Sequence, residues 1–187
     1  MNVIVNPPGE TYVDVIGPTE IVVQTNIPVF PNPRAWCTFA DNSTQTNPVA
    51  NQINTFTYDT PDGSQDISII NNREIVVEKD GIFNISFSIM LTKSGGGTAD
   101  VDIWAAKNGT DIPDSNTRFT LSGNGAQQVA AWILTYALSA NDSITLHWCS
   151  ASTAITVPHY ANLTNPVRPN IPSIIGQIWQ IGDTPPN

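Results

Sequence analysis

Charge is what this sequence has least of. Only 12% of its 187 residues are charged, about half the usual share. Cations are scarcest: 7 Lys and Arg stand against 16 Asp and Glu, for a net charge of −9. So few cations cannot neutralise a run of phosphates, which excludes nucleic acid as the expected partner, and the negative balance repels anionic membranes. Two cysteines, Cys37 and Cys149, make no disulfide framework. Both sit in apolar, strand-like runs and read as reduced, buried small hydrophobes. No apolar run approaches the length of a transmembrane helix. The opening residues, Met1 to Pro7, have neither the positive region nor the apolar stretch of a secretory leader. Asn-x-Ser/Thr triplets, as at Asn42 and Asn162, are expected by chance in a chain so rich in these residues.

What the chain does have is 40% hydrophobic residues, enough for a core, set among abundant Asn, Thr, Ser, Pro and Gly. Residues 1–33 hold six prolines: Pro7, Pro8, Pro18, Pro28, Pro31 and Pro33. Between them lie two β-prone pieces, 12–16 and 20–24. They are too few to bury a core, and prolines keep them out of a central sheet. The stretch therefore reads as an extended, proline-rich arm that could span about 110 Å at ~3.3 Å per residue. Its apolar residues, Val3, Val5, Ile16, Ile21 and Val23 among them, need burial elsewhere, which suits an anchor.

From Arg34 to the end the signals are short strands separated by turn residues. The strands expected are 35–40, 52–58, 73–78, 82–91, 100–105, 129–138, 143–149 and 174–181, with no helix longer than a turn. In 82–91, Phe83, Ile85, Phe87, Ile89 and Leu91 alternate with Asn84, Ser86 and Ser88, so one face is buried and the other polar. The strand 129–138 is apolar on both faces: Val129, Ala131, Ile133 and Ala137 on one, Ala130, Trp132, Leu134, Tyr136 and Leu138 on the other. One face can join a core. The other needs a second cover, and a subunit interface supplies it.

Catalytic chemistry is thin. In "DVDIWAAKNGTDI" (100–112), Asp100 and Asp102 share the outer face of a strand, roughly 6–7 Å apart. That spacing would also suit the two acids of a glycosidase, yet nothing nearby buries either. Asn108-Gly109 is a type I′ hairpin signal, so the stretch reads as strand, turn, strand, with Asp111 at the far edge and no calcium-loop signature. His147 shares a strand face with Cys149, a spacing that rarely gives a productive dyad. There is no nucleophile elbow, zinc motif or phosphate loop. The sequence predicts a non-enzyme with no cofactor, no metal and no catalytic residue.

Four stretches carry a resemblance: "KDGIFNISFSIML" (79–91), "GGGTADVDIWAAKNGTDIPDSNTRFTL" (95–121), "VAAWILTYALSANDSITLHW" (129–148) and "RPNIPSIIGQIWQI" (168–181). Together they resemble the trimeric jelly-roll domains of the tumour-necrosis-factor and complement-head superfamily. The nearest likeness is to the branch found in tailed-phage and other virion proteins. The resemblance spans about 34–182 and implies an all-β antiparallel jelly-roll sandwich, preceded by the arm. It implies a homotrimer whose interface includes Trp36, Trp132, Leu134, Tyr136 and Trp179. It also implies a virion location, as a trimeric surface protein decorating or cementing a phage capsid. The arm would then hold the major capsid protein or another virion protein. The alternative is a tail-fibre or fibre-tip knob that binds a host receptor or surface glycan, with Trp104 and Tyr160 as contact groups. A cluster of exposed aromatics would favour that alternative and scattered ones would not.

Overall fold

The computed structural model describes residues 11–15, 21–25 and 34–183. The chain divides into two units, 1–33 and 34–187. In the first, β1 (Thr11–Val15) pairs antiparallel with β2 (Ile21–Thr25), from Thr11 opposite Thr25 to Val15 opposite Ile21. The two β-prone pieces thus pair with each other along one edge, and the described part of the arm is an antiparallel strand pair rather than a single extended run. Ile21 and Val23 lie on β2; Val3, Val5 and Ile16 lie outside the described residues.

The second unit opens with β3 (Trp36–Asp41), β4 (Gln45–Thr46), β5 (Asn54–Thr55), β6 (Thr60–Gln65), β7 (Ile67–Ile70) and β8 (Glu74–Val77). The long strands β9 (Gly81–Lys93) and β10 (Thr98–Lys107) follow, then β11 (Thr110–Asp111), β12 (Thr117–Ser122), β13 (Ala126–Leu138) and β14 (Ser143–Cys149). The unit closes with β15 (Ile155–Val157), β16 (Leu163–Thr164), β17 (Val167–Arg168) and β18 (Ile174–Gly182). Among the described residues all regular structure is strand.

Two antiparallel sheets form the body. One runs β6-β3-β18-β9-β13, with β15 and β4 continuing beside the far end of β9. The other runs β7-β8-β14-β10-β12, with β5 on β14 and β11 on β10. The chain steps repeatedly between sheets: β9 in the first, β10 and β12 in the second, β13 back in the first, β14 in the second, β18 in the first. Strands adjacent in space are therefore mostly distant in sequence, as in a jelly roll.

The core follows from period-two patterning. Along β9 burial alternates as expected: Phe83, Ile85, Phe87, Ile89 and Leu91 point inward. They meet Val101 and Ile103 of β10, Ile144, Leu146 and Trp148 of β14, and Cys37 and Phe39 of β3. Asn108 and Gly109 both have positive φ, 51° and 76°, as a type I′ turn requires, and Lys107 faces Thr110 across it.

Other elements differ from expectation. In the predicted strand 52–58 only Asn54–Thr55 ladders onto β14, although Phe56 and Tyr58 are still buried. Strand β6 went unpredicted because Pro61 and Gly63 interrupt its pattern. It runs at a sheet edge, where proline is tolerated, and a bulge sets Thr38 opposite Gly63 and Phe39 opposite Pro61. Strand β12 was hidden because Arg118 and Thr120 occupy its outer face. The triple glycine is more than a flexible link: the buried Lys93 ammonium donates to the carbonyls of Gly95 (2.7 Å) and Gly96 (2.6 Å).

Candidate functional site

The outward face of the β6-β3-β18-β9-β13 sheet is the one large surface whose chemistry departs from the rest of the unit. Its residues align in rows through the ladder. Ala40, Ile175, Ser88 and Ala131 form one row; Thr38, Gln177, Ser86 and Ile133 form the next; Trp36, Trp179, Asn84 and Thr135 form a third. Ile82 and Ala137, and Met90 and Val129, pair beyond them. No outward-facing residue of β3, β9, β13 or β18 is Asp, Glu, Lys or Arg. Large apolar groups stand free on it: Val129 is 55% exposed, Ile133 58%, Ile175 52% and Trp36 41%. Between them Thr38, Ser86, Ser88, Gly176 and Gln177 line a shallow depression.

Small residues make this surface. Gly63 leaves room for the Trp36 ring, since a Cβ there would sit 2.8 Å from it. Gly176 lets the Phe39 ring cross beneath the sheet. The Thr135 hydroxyl donates to Asn84 Oδ1 at 2.7 Å, so the polar members of the third row satisfy each other.

Of the five interface candidates, Trp36 and Trp179 lie on this face, directly opposite one another. Trp132, Leu134 and Tyr136 do not. They are half-buried and turned inward against the core. Trp132 packs edge-on against Phe87, centroids 4.4 Å apart, and stacks with Phe119 of β12 at 5.6 Å, which closes the open edge between the two sheets. The cause is register: Trp132 pairs with Phe87, Leu134 with Ile85 and Tyr136 with Phe83. Those partners point inward, so their neighbours must too. The opposite set, Val129, Ala131, Ile133 and Ala137, is the exposed one. The alternation of 82–91, paired with 129–138, was the signal that could have settled this.

The charge lies on the other sheet. Arg118 donates two hydrogen bonds of 2.8 Å to Asp102, and this contact holds the Asp102 carboxyl below its usual range. Thr120 donates to Asp100 at 2.7 Å, and Trp104 Nε1 to Asp111 at 2.7 Å. Each carboxylate of the 100–112 stretch thus has a structural partner on or beside its own sheet. The two His147 nitrogens face the hydroxyls of Thr55 (3.1 Å) and Thr145 (3.0 Å), leaving neither for Cys149. Trp104 lies on this sheet, 5.7 Å from the His147 ring. Tyr160, which is exposed, instead accepts a hydrogen bond from Gln127 of β13, so it and the half-buried Trp104 do not cluster.

Cys37 is buried, on β3; Cys149, on β14 in the other sheet, is only half-buried, contrary to expectation. Alternation along β14 places it outward with Thr145 and His147, opposite Asp102. Burial pushes the Cys37 thiol up to about 11 and raises that of Cys149, to which Asp102 adds. A thiol reagent at neutral pH is expected to label Cys149 slowly and Cys37 only after unfolding. Rapid labelling of both in the native state would contradict this placement.

Solved structures share this architecture. A structure of Eiger TNF from S. frugiperda is 10% identical, with a TM-score of 0.54, over 83% of this chain and 97% of that one. Murine APRIL at pH 5.0 (11% identity, TM-score 0.48, 78% and 98% covered) and the globular domain of zebrafish complement 1qA (8%, 0.48, 81% and 100%) are also among the matches. The chain folds as an all-β jelly roll of the tumour-necrosis-factor-like kind. At such identity the likeness is one of fold. No family model and no curated protein matches the chain.

Proposed function

We propose that this chain is a non-enzymatic structural protein of a virion: a homotrimer on the particle surface that decorates or cements a phage capsid, held by its residues 1–33. The observation that carries the assembly part is the uncharged outward face of β3, β18, β9 and β13, with its exposed Trp36, Val129, Ile133 and Ile175. A chain of net charge −9 meets like charge wherever copies approach through charged surfaces; this face has none to repel. Its exposed Val129 and Ile133 form a ridge on the edge strand, and the depression around Ser86 and Gly176 lies beside it. Ridge into a neighbour's depression is a head-to-tail contact, and the proposed trimer is the ring formed when the rotation between subunits closes.

The paired state of Asp100, Asp102, Asp111 and His147 supports a non-catalytic role. The virion assignment rests on the sequence resemblance, and the paired strands β1 and β2 offer the arm a strand edge for pairing with a partner sheet. Three arms per trimer would multiply attachment. The fibre-knob alternative draws less support, because Trp104 and Tyr160 do not cluster. Gold labelling of particles tests the reading: the full chain is expected on heads, and a chain starting at Arg34 is expected to leave heads bare. Label at the tail tip would overturn it.

A further inference from the structure

We infer that an open pocket between the 43–57 segment, Arg73 and Trp148 binds a carboxylated saccharide. The pocket has a volume of about 410 Å³, within the size range of small-ligand sites. In a chain with 16 acids, none of its lining residues is acidic. Its walls are held in place from behind. The buried Asp41 carboxylate accepts hydrogen bonds from the Ser43 amide (2.6 Å) and the Thr57 hydroxyl (2.6 Å). Gln45 is clamped against the Thr57 backbone, and Asn54 donates to Asn47. A site pre-organised in this way binds with less ordering cost.

Three exposed polar side chains in the walls are free of protein partners among the described residues. The exposed Arg73 guanidinium makes no ion pair or hydrogen bond among the described residues. The Thr46 hydroxyl and Gln52 amide likewise have no partner among them. The Trp148 side chain, 1% exposed, is among the lining residues, and its covered N–H has no acceptor among the described residues. The exposed groups offer donors to acceptor oxygens and one positive charge to one negative charge. A guanidinium fork matches a carboxylate, and a single cation suits one charge rather than a multiply charged phosphate. Hydroxyl and amide groups suit sugar hydroxyls. No aromatic face is exposed in the pocket to stack a nucleobase, and the half-exposed Ile53 offers an apolar rim.

This inference bears on the receptor-binding alternative and is independent of assembly, since the pocket is built within one protomer. The test uses the full chain with ¹⁵N-labelled indoles. Sialyllactose and trigalacturonate are the probes, with lactose as the neutral control. Saturable movement of the Trp148 indole resonance is expected with the carboxylated probes, with affinity about tenfold above lactose. Arg73→Gln, on an exposed side chain, is expected to abolish that preference with the rest of the spectrum unchanged. A glycan source predicts tighter binding of the oligosaccharides than of free glucuronate, and a soluble sugar acid predicts equal binding. No movement with either carboxylated probe, equal movement with lactose, or unchanged preference in Arg73→Gln would overturn the assignment.

Discussion

Ile133→Asp is expected to yield a folded monomer. Ile133 is 58% exposed within one unit, so an aspartate there meets water and leaves the fold intact. In the proposed trimer the same position is buried, and desolvating a carboxylate costs several kcal/mol even after relaxation. A trimer would bury three. The neighbouring residue on the same strand predicts the opposite phenotype. Trp132→Ala empties the space between Phe87 and Phe119 and, for this half-buried ring, should lower unfolding stability by about 2–3 kcal/mol. Sedimentation velocity and urea melts on the two variants separate the effects. If Ile133→Asp stays trimeric, the interface lies elsewhere; if Trp132→Ala melts like wild type, the inward placement of that ring is wrong.

Gly176→Ala is expected to destabilise the fold by about 1–3 kcal/mol, and Gly176→Val to prevent folding. A Cβ at 176 would lie 2.3 Å from two carbons of the Phe39 ring and 3.0 Å from the Ser86 carbonyl. The ring cannot retreat easily, because it is fully buried and its centroid is 4.5 Å from that of Tyr58. Small domains are stable by only about 5–15 kcal/mol, so the valine variant exceeds what the unit tolerates. Pairing Gly176→Ala with Phe39→Leu, which frees space above the new methyl, should recover part of the loss. An alanine variant within about 0.5 kcal/mol of wild type would show that this contact is loose.

The two kinds of information in these variants were not equally legible in the sequence. That 129–138 is apolar on both faces can be read directly, as can the alternation of 82–91 and the Asn108-Gly109 turn. Which face of 129–138 stays exposed cannot be read from that strand alone, because both sets of residues are equally apolar. It is decided by a partner strand and by Phe119, in the other sheet. The need for glycine at 176 is invisible for the same reason: the clash is with Phe39, brought near only by the β3–β18 pairing. The edge strand β6 is concealed by Pro61 and Gly63, residues that an edge accepts and a central strand would not. The pocket beside Arg73 has no signature in the sequence. Its walls come from 43–57, 73 and 148, and its chemistry lies in which polar groups the fold leaves unpaired.

The proposed trimer requires assembly through the uncharged face. Light scattering of the purified full chain at micromolar concentration, coupled to gel filtration, is the measurement that tests it. A mass three times that of the chain, falling to one chain mass for Ile133→Asp, is the predicted result. A wild-type chain that elutes as a monomer would contradict it.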